Sequence, residues 1–343
     1  MRAPHVLVAR LDNLGDVLLS GPAVRAVATG ASRVTFLAGR GAAAARLLPG
    51  VDEVVAVDAP WVGDDAPAVE RSALDGLVDH LGTLGIDRAL VLTSFHQSPL
   101  PLALLLRMAG VAEIGATCAD HPGSLLDVRH GDDPRRHEVE QALSLAERFG
   151  HRLAAGDTGR LAVRRPLPTW RPFAGRYVVL HPGASVPARG WDAGRAAACV
   201  QLLAAGGYQV AVTGGSAERH LTATVAGDPQ ADVADLGGAL DLAGLAGVLA
   251  GAEVVVSGNT GPAHLAAAVA TPVVSIFAPV VPPERWRPWG VPSILLGDHD
   301  IACAGCRARS CPVEDQPCLA GVTPEAVVDA VATLAGRRLR VPA

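Results

Sequence analysis

The chain alternates short apolar runs with longer segments in which apolar residues return every three or four positions. The short, valine- and leucine-rich runs predict buried strands, and the longer segments predict helices. In the first half, strands are expected at 6–9, 34–37, 53–57 and 88–92, with a short one starting at Glu113. Helices are expected at 17–28 with a break at Pro22, then at 42–48, 66–84, 100–109 and 137–149. The stretch LAVRRPLPTWRP (161–172) carries three prolines and reads as a linker. After it the alternation restarts. Strands are expected at 177–180, 208–212, 254–256, 273–277 and 293–296, and one starting at Val233. Helices are expected at 193–204, 217–225, 240–250, 263–270 and 324–336. Strand–helix alternation on both sides of a linker predicts two parallel-sheet α/β domains, 1–165 and 176–343, joined by 166–175.

The turns carry the candidate chemistry. Val254–Pro279 reads as strand, glycine turn, helix, strand. Its turn, Ser257-Gly258-Asn259-Thr260-Gly261, runs into Pro262, which suits a first helical position. A helix start at the carboxyl end of a strand points free N–H groups at any phosphate placed there. His264 lies in the first turn of that helix. Two further turns, His181-Pro182-Gly183-Ala184-Ser185 and Thr213-Gly214-Gly215-Ser216, also sit after strands. Three such turns in one sheet predict a nucleoside-diphosphate site. Arg189 is placed to neutralise a leaving phosphate, and Glu218 to take a ribose hydroxyl; a surface charge and a helix-end acid are the plainer readings.

In the first half, Asp12 and Asp16 follow the first strand, where open α/β sheets bind ligands. Asp16 reads either as a helix-start acid or as a proton acceptor. The polar loop Thr93–Ser98 ends a strand at the same sheet edge. Gly39-Arg40-Gly41-Ala42-Ala43-Ala44 matches G-x-G-x-x-A, but it follows the second strand and reads as a turn into a helix.

Composition narrows the class. Net charge is −5, no basic run occurs and aromatics are few, which argues against nucleic acid as a partner. Positive mean hydropathy reflects alanine; glycine, asparagine, proline and histidine interrupt the longest uncharged run, so it is not a spanning helix. No signal-peptide pattern opens the sequence, so a cytoplasmic chain is expected. Lysine is absent, and every fixed cation is arginine.

The motifs occur in an order that resembles glycosyltransferase family 9, the ADP-heptose:lipopolysaccharide heptosyltransferases. Leu11-Asp12-Asn13-Leu14-Gly15-Asp16-Val17 is similar to the family's N-terminal Gly-Asp motif. His181-Pro182-Gly183-Ala184, Arg189-x-Trp191, Thr213-Gly214-Gly215 and Thr260-Gly261-Pro262-Ala263-His264-Leu265 follow in the family's order. The resemblance implies the GT-B fold: two Rossmann-like domains whose parallel sheets face across a cleft. It implies inverting transfer of a sugar, heptose from ADP-heptose, to a hydroxyl of a glycan or glycolipid, without a metal or other cofactor. Asp16 matches the catalytic base. Ser185, Arg189, Thr213, Gly214, Gly215, Glu218, Asn259, Thr260, Gly261 and His264 are the expected donor-binding set. A glycolipid acceptor would bring the chain into peripheral contact with the inner face of the membrane. Arg189 stands where the family usually has lysine, and Asn259 where it often has aspartate. A nucleotide-sugar epimerase on the same two-domain plan is the alternative reading.

Two further patterns bear on metal. Asp298-His299-Asp300 matches the D-x-D by which other glycosyltransferases hold a cation, but it lies away from the predicted glycine turns. Cys303, Cys306, Cys311 and Cys318 form C-x2-C-x4-C-x6-C. Four close thiols can hold zinc or an iron–sulfur cluster, yet this spacing matches neither standard pattern. Reduced thiols are the expected state, with metal binding left open.

Overall fold

In the computed structural model, residues 2–336 are described, apart from 64, 95 and 96. The chain forms two compact units, Met1–Arg164 and Arg165–Ala343.

The first unit holds β1 (His5–Arg10), β2 (Arg33–Ala38), β3 (Glu53–Ala56), β4 (Arg88–Leu92), β5 (Glu113–Thr117) and β6 (Val128–His130). They form one six-stranded sheet in the order β3-β2-β1-β4-β5-β6, and every pair is parallel. The second unit holds β7 (Tyr177–His181), β8 (Gln209–Val212), β9 (Val233–Asp235), β10 (Val254–Gly258), β11 (Val273–Ile276) and β12 (Ser293–Leu296). Its order, β12-β11-β10-β7-β8-β9, is again all parallel. Counted from the first strand of each unit, both orders are the doubly wound 3-2-1-4-5-6 of a Rossmann fold.

Position in the sheet explains the hydrophobic pattern. β1 and β7 are central, covered on both faces, and buried at every residue. The edge strands β3, β9 and β12 are only partly covered. One face of each sheet packs a continuous core. Leu7, Leu37, Leu81, Leu102 and Ile114 anchor it in the first unit, and Val178, Val200, Leu203, Val256 and Val327 in the second.

Several boundaries differ from expectation. The helix after β1 starts at Leu14, so Asp16 is its third residue rather than the end of a loop. It stops at Leu19, and a second helix, Gly21–Ala28, restarts with Pro22 in its first turn. The helix after β2 is only Ala42–Ala45, and the one after β3 starts at Arg71, five residues later than its composition suggests. β6 was not expected; it is a three-residue edge strand. Of the proline-rich stretch, Leu161 and Val163 are buried, and Arg164 donates to the carbonyls of Leu47 (2.7 Å, from its backbone) and Leu48 (3.0 Å). Those residues complete the first unit rather than span a gap.

Among the described residues, no helix is long and apolar enough to cross a membrane.

Candidate active site

A doubly wound sheet opens a crevice where two neighbouring strands send their connections in opposite directions. That point lies between β1 and β4 in the first unit, and between β7 and β10 in the second. The polar residues singled out above gather at those two places.

In the first unit the centre is Arg10, the last residue of β1, which is 3% exposed. Three carboxylates face it. Asp12 Oδ2 lies 2.5 Å from Nε, as a close ion pair without hydrogen-bond alignment. Glu138 Oε2 accepts from Nη2 at 3.1 Å, and Asp16 Oδ1 accepts from the same nitrogen at 3.3 Å. Nη2 also donates to Ser94 Oγ at 2.8 Å. Burial acts to lower the Arg10 pKa, but Asp12, Glu138 and Asp16 together raise it above its ordinary value, so the cation is secure.

The carboxylates are not equivalent. The side chains of Asp12 and Glu138 are 6% and 2% exposed, whereas that of Asp16 is 18% exposed. Asp12 is held further by Gln97 Nε2 at 2.5 Å and by Ser94 Oγ at 3.3 Å. Asp16 is therefore the carboxylate with access to solvent and the longest link to Arg10. Its helix explains its place: Asn13 precedes the helix without a side-chain cap, and Asp16 stands in the first turn.

The loop that carries Asp12 is clamped from below. A Cβ on Gly39 would strike the carbonyl of Leu11, and one on Gly41 would strike Val17 Cγ2. The G-x-G pair after β2 thus lets one turn lie directly against another. Sequence reasoning missed Arg10 and Glu138. Ser94 and Gln97 belong to the polar loop already noted; Phe95 and His96 of that loop lie outside the described residues.

In the second unit, the first two glycine turns interlock around Glu218. Its Oε2 accepts from the Gly215 N–H at 2.7 Å and lies 3.8 Å from His181 Nε2. A Cβ on Gly183 would collide with the Glu218 carboxylate, and one on Gly214 would come within 2.6 Å of Thr222. His181 Nδ1 pairs with the buried Thr213 Oγ1 at 3.1 Å. Burial holds the His181 imidazole below its ordinary pKa, against the opposing pull of Glu218. Glu218 here caps its own turn, and Ser185, two residues after Gly183, is exposed.

The third turn holds Arg189. Its Nη1 donates to the carbonyl of Asn259 at 3.4 Å, and its own carbonyl lies 3.1 Å from where a Gly258 Cβ would stand. Asn259 is 4% exposed, and its Nδ2 donates to the carbonyl of Ala278 at 3.2 Å. An aspartate could not make that bond, which gives the asparagine a local reason. Thr260 precedes the helix Gly261–Ala268, and its Oγ1 pairs with Ser257 Oγ at 3.3 Å. Pro262 is the second helical residue, not the first, and has no N–H to offer. Ala263 N bonds the Thr260 carbonyl at 3.2 Å, and Thr260 N bonds the Gly258 carbonyl at 2.8 Å. His264 is buried in the same first turn.

Asp298-His299-Asp300 closes on itself: Asp298 Oδ1 accepts from Asp300 N at 3.2 Å, and His299 Nε2 pairs with the Phe277 carbonyl at 3.1 Å. Cys303 and Cys306 are exposed, Cys311 is half-buried and Cys318 is buried, all as free thiols. Among the described residues, no group of three or more histidine, cysteine, aspartate or glutamate side chains is arranged to hold a metal.

Residues 77–316 match the model of glycosyltransferase family 9 (heptosyltransferase). The chain belongs to glycosyltransferase family 9. Family 9 relatives recur among characterised proteins. Lipopolysaccharide heptosyltransferase 3 of Escherichia coli is 32% identical over 143 residues, covering 41% of this chain and 40% of that protein. Lipopolysaccharide heptosyltransferase 1 of Pseudomonas aeruginosa is 43% identical over 72 residues, 21% of this chain and 20% of that protein. The matched region thus spans less than half the length of these relatives. Structural likeness extends further. A family 9 glycosyltransferase from Veillonella parvula superposes with a TM-score of 0.77 at 16% identity, covering 98% of both chains. The E. coli heptosyltransferase WaaC, solved with ADP, gives 0.70 at 19% identity, covering 96% of this chain and 99% of that one. The fold is GT-B.

Proposed function

We propose that this family 9 chain is an inverting glycosyltransferase that moves heptose from ADP-heptose onto a hydroxyl of a lipopolysaccharide-core glycan or glycolipid, with Asp16 as general base. The observation that carries this reading is the inequality of the carboxylates around Arg10: Asp16 is the one that solvent reaches. The acceptor hydroxyl attacks the anomeric carbon while its proton passes to Asp16. The bond from that carbon to the diphosphate breaks, and negative charge grows on the departing oxygen. The Gly261 N–H, the start of helix Gly261–Ala268 and the Arg189 guanidinium stabilise that charge.

The donor set is Ser185, Arg189, Thr213, Gly214, Gly215, Glu218, Asn259, Thr260, Gly261 and His264. Within it Arg189 supplies fixed charge, and the Gly214–Gly215 turn packs directly against Thr222 and Glu218. No resident metal is assigned. A lipid-borne acceptor implies work at the inner face of the membrane by peripheral contact, and residues 1–165 as the acceptor side.

The test is transfer itself. Purified chain should release ADP from ADP-heptose only when a heptose-deficient core acceptor is present, with the heptose recovered on that acceptor. Interconversion of donor sugars without an acceptor would mark an epimerase instead. A thermal-shift series over ADP-, GDP-, UDP- and dTDP-sugars should rank the ADP-sugar first, because a bound donor stabilises the folded state.

A further inference from the structure

The turn that carries Arg189 does not stand alone. Pro187–Arg189 is a single 3-10 turn, closed by Arg189 N on the Val186 carbonyl at 2.8 Å and by Gly190 N on the Pro187 carbonyl at 2.9 Å. Ala188, at its middle, is buried. A buried residue needs partners for both its N–H and its C=O. Both come from one loop, the segment that follows β12. Ala188 N donates to the Arg309 carbonyl at 2.9 Å, and the Ala188 carbonyl accepts from Gln316 Nε2 at 2.7 Å.

That loop is itself anchored. Gly305 N donates to the Pro279 carbonyl at 2.7 Å and Arg307 N to the Val280 carbonyl at 2.9 Å, just past the Ala278 carbonyl that receives Asn259. Its backbone is unusual. Among the described residues, Ala270, Arg307, Asp315 and Gln316 are the non-glycine residues with positive φ, and the last three lie here. Gln316 stands at φ 44° and ψ 69°, a left-handed conformation that glycine adopts most easily. It also precedes the short helix Pro317–Ala320, yet its side chain makes no cap bond to that helix. Neither backbone nor cap gives a reason for glutamine at this position; the bond to Ala188 does. An ordered residue in such a conformation points to a task that its surroundings impose.

Resting on the reading of Arg189 as a donor-phosphate cation, we propose that Gln316 is a positioning residue that fixes Arg189 through the Ala188 carbonyl. The Ala188 carbonyl and the Arg189 N–H belong to one planar peptide unit. A donor on that carbonyl restrains the plane, and with it the direction in which the Arg189 side chain leaves the backbone. On the other side, the Arg189 carbonyl lies 3.1 Å from where a Gly258 Cβ would stand, and Nη1 donates to the Asn259 carbonyl at 3.4 Å. Arg189 is thus held between the end of β10 and the loop after β12, and a diphosphate meets a charge already in place. Without Gln316 the plane loses that restraint, and the diphosphate has to order Arg189 as it binds.

The experiment is a double-mutant cycle on ADP binding, read by calorimetry on the full chain for Gln316→Met, Arg189→Ala and the pair, alongside thermal melts. Methionine keeps the length of the side chain and removes the donor. Gln316→Met should raise the Kd for ADP by about tenfold, the effect of one lost hydrogen bond. Arg189→Ala should raise it at least as much. In the Arg189→Ala background, Gln316→Met should add nothing, because its effect runs through Arg189. Gln316→Gly supplies a second readout: it suits the left-handed backbone, so the melting temperature should stay near wild type while ADP affinity still falls. A merely structural side chain would lower stability and leave the cycle additive.

An unchanged Kd in a folded Gln316→Met chain, or a penalty that persists in full without Arg189, overturns the proposal and leaves Arg189 on the phosphates. So does a Gln316→Gly chain that loses stability but keeps its affinity. Unchanged affinity in Arg189→Ala, or no ADP binding by the wild-type chain, instead sinks the reading of Arg189 on which the proposal rests. If Gln316→Met does not fold, the cycle is run with Gln316→Gly and the same outcomes decide.

Discussion

Asn259 donates through Nδ2 to the carbonyl of Ala278 at 3.2 Å, tying the glycine turn after β10 to the chain just past β11. Both residues are buried, so the bond has no water to replace it. Asn259→Ala should cost about 1–3 kcal/mol by chemical denaturation, the usual penalty for orphaning a buried partner. It should also weaken ADP-sugar binding, because the carbonyl that receives Arg189 belongs to the same residue. Wild-type stability together with wild-type donor affinity would show that the turn stands without this bond.

The two aspartates after β1 should part company. Asp16→Asn keeps the shape but cannot take a proton, and the rate should fall by roughly 10²–10⁴-fold. Asp12→Asn should lower the rate less and the melting temperature more, because Asp12 is bound by Arg10, Gln97 and Ser94 in a buried setting. If Asp12→Asn is the inactive, stable variant and Asp16→Asn works, the assignment of the base is reversed.

Gly39→Ala tests the clamp under that loop. The added methyl would meet the carbonyl of Leu11, a backbone atom that cannot swing aside. Overpacking of this kind costs about 1–3 kcal/mol. Activity should fall out of proportion to stability, since the displaced segment carries Asp12 and leads to Asp16. Equal activity in a folded Gly39→Ala chain would mean that loop position does not govern the rate.

Acid should destabilise the protein before the carboxylates begin to protonate. Burial holds His130, His151 and His181 below the ordinary 6.5, helped by Arg136 and Arg148 at His130 and by Arg88 at His151. Below pH 6.5 the unfolded chain binds protons at these rings while the folded chain does not, so stability falls as pH falls through that value and on toward the depressed pKa of each ring. Each ring contributes up to about 1.4 kcal/mol per pH unit in that window. Melting temperatures measured from pH 7.5 to 5 should decline steadily; a rise over that range would contradict the sign.

Transfer should persist in EDTA, because the groups proposed to meet the leaving diphosphate belong to the chain. Activity lost to chelation and restored by magnesium or manganese would bring Asp298 and Asp300 into the mechanism. Loss accompanied by unfolding and reversed by zinc or iron would assign a metal to Cys303, Cys306, Cys311 and Cys318.

What could be read from the sequence follows from where each residue sits. β1 and β7 are buried on both faces, so their middles appear as apolar runs, and the first glycine turn follows β7 directly. The place of Asp16 just past the end of β1 was legible, because it follows the first apolar run directly. β6 was not: Val128-Arg129-His130 is short, polar and on an edge, and it exists because it pairs with Gly115–Thr117. Arg10 looks like the polar end of an apolar strand, and Glu138 like an ordinary helix-start acid. Their pairing is a tertiary fact with no local trace. The G-x-G after β2 carried a nucleotide signature in form, but its glycines are spent on chain-to-chain contact.

The Arg10 centre also orders events during synthesis. Arg10 and its first two carboxylates emerge together, within seven residues of chain, but Glu138 follows Arg10 by 128 positions. Until the helix Glu138–Arg148 leaves the ribosome, the middle of the first sheet holds a cation short of one partner. Any fragment ending before that helix carries Arg10, Asp12 and Asp16 without Glu138, so the centre of the first unit is complete only when its last helix arrives.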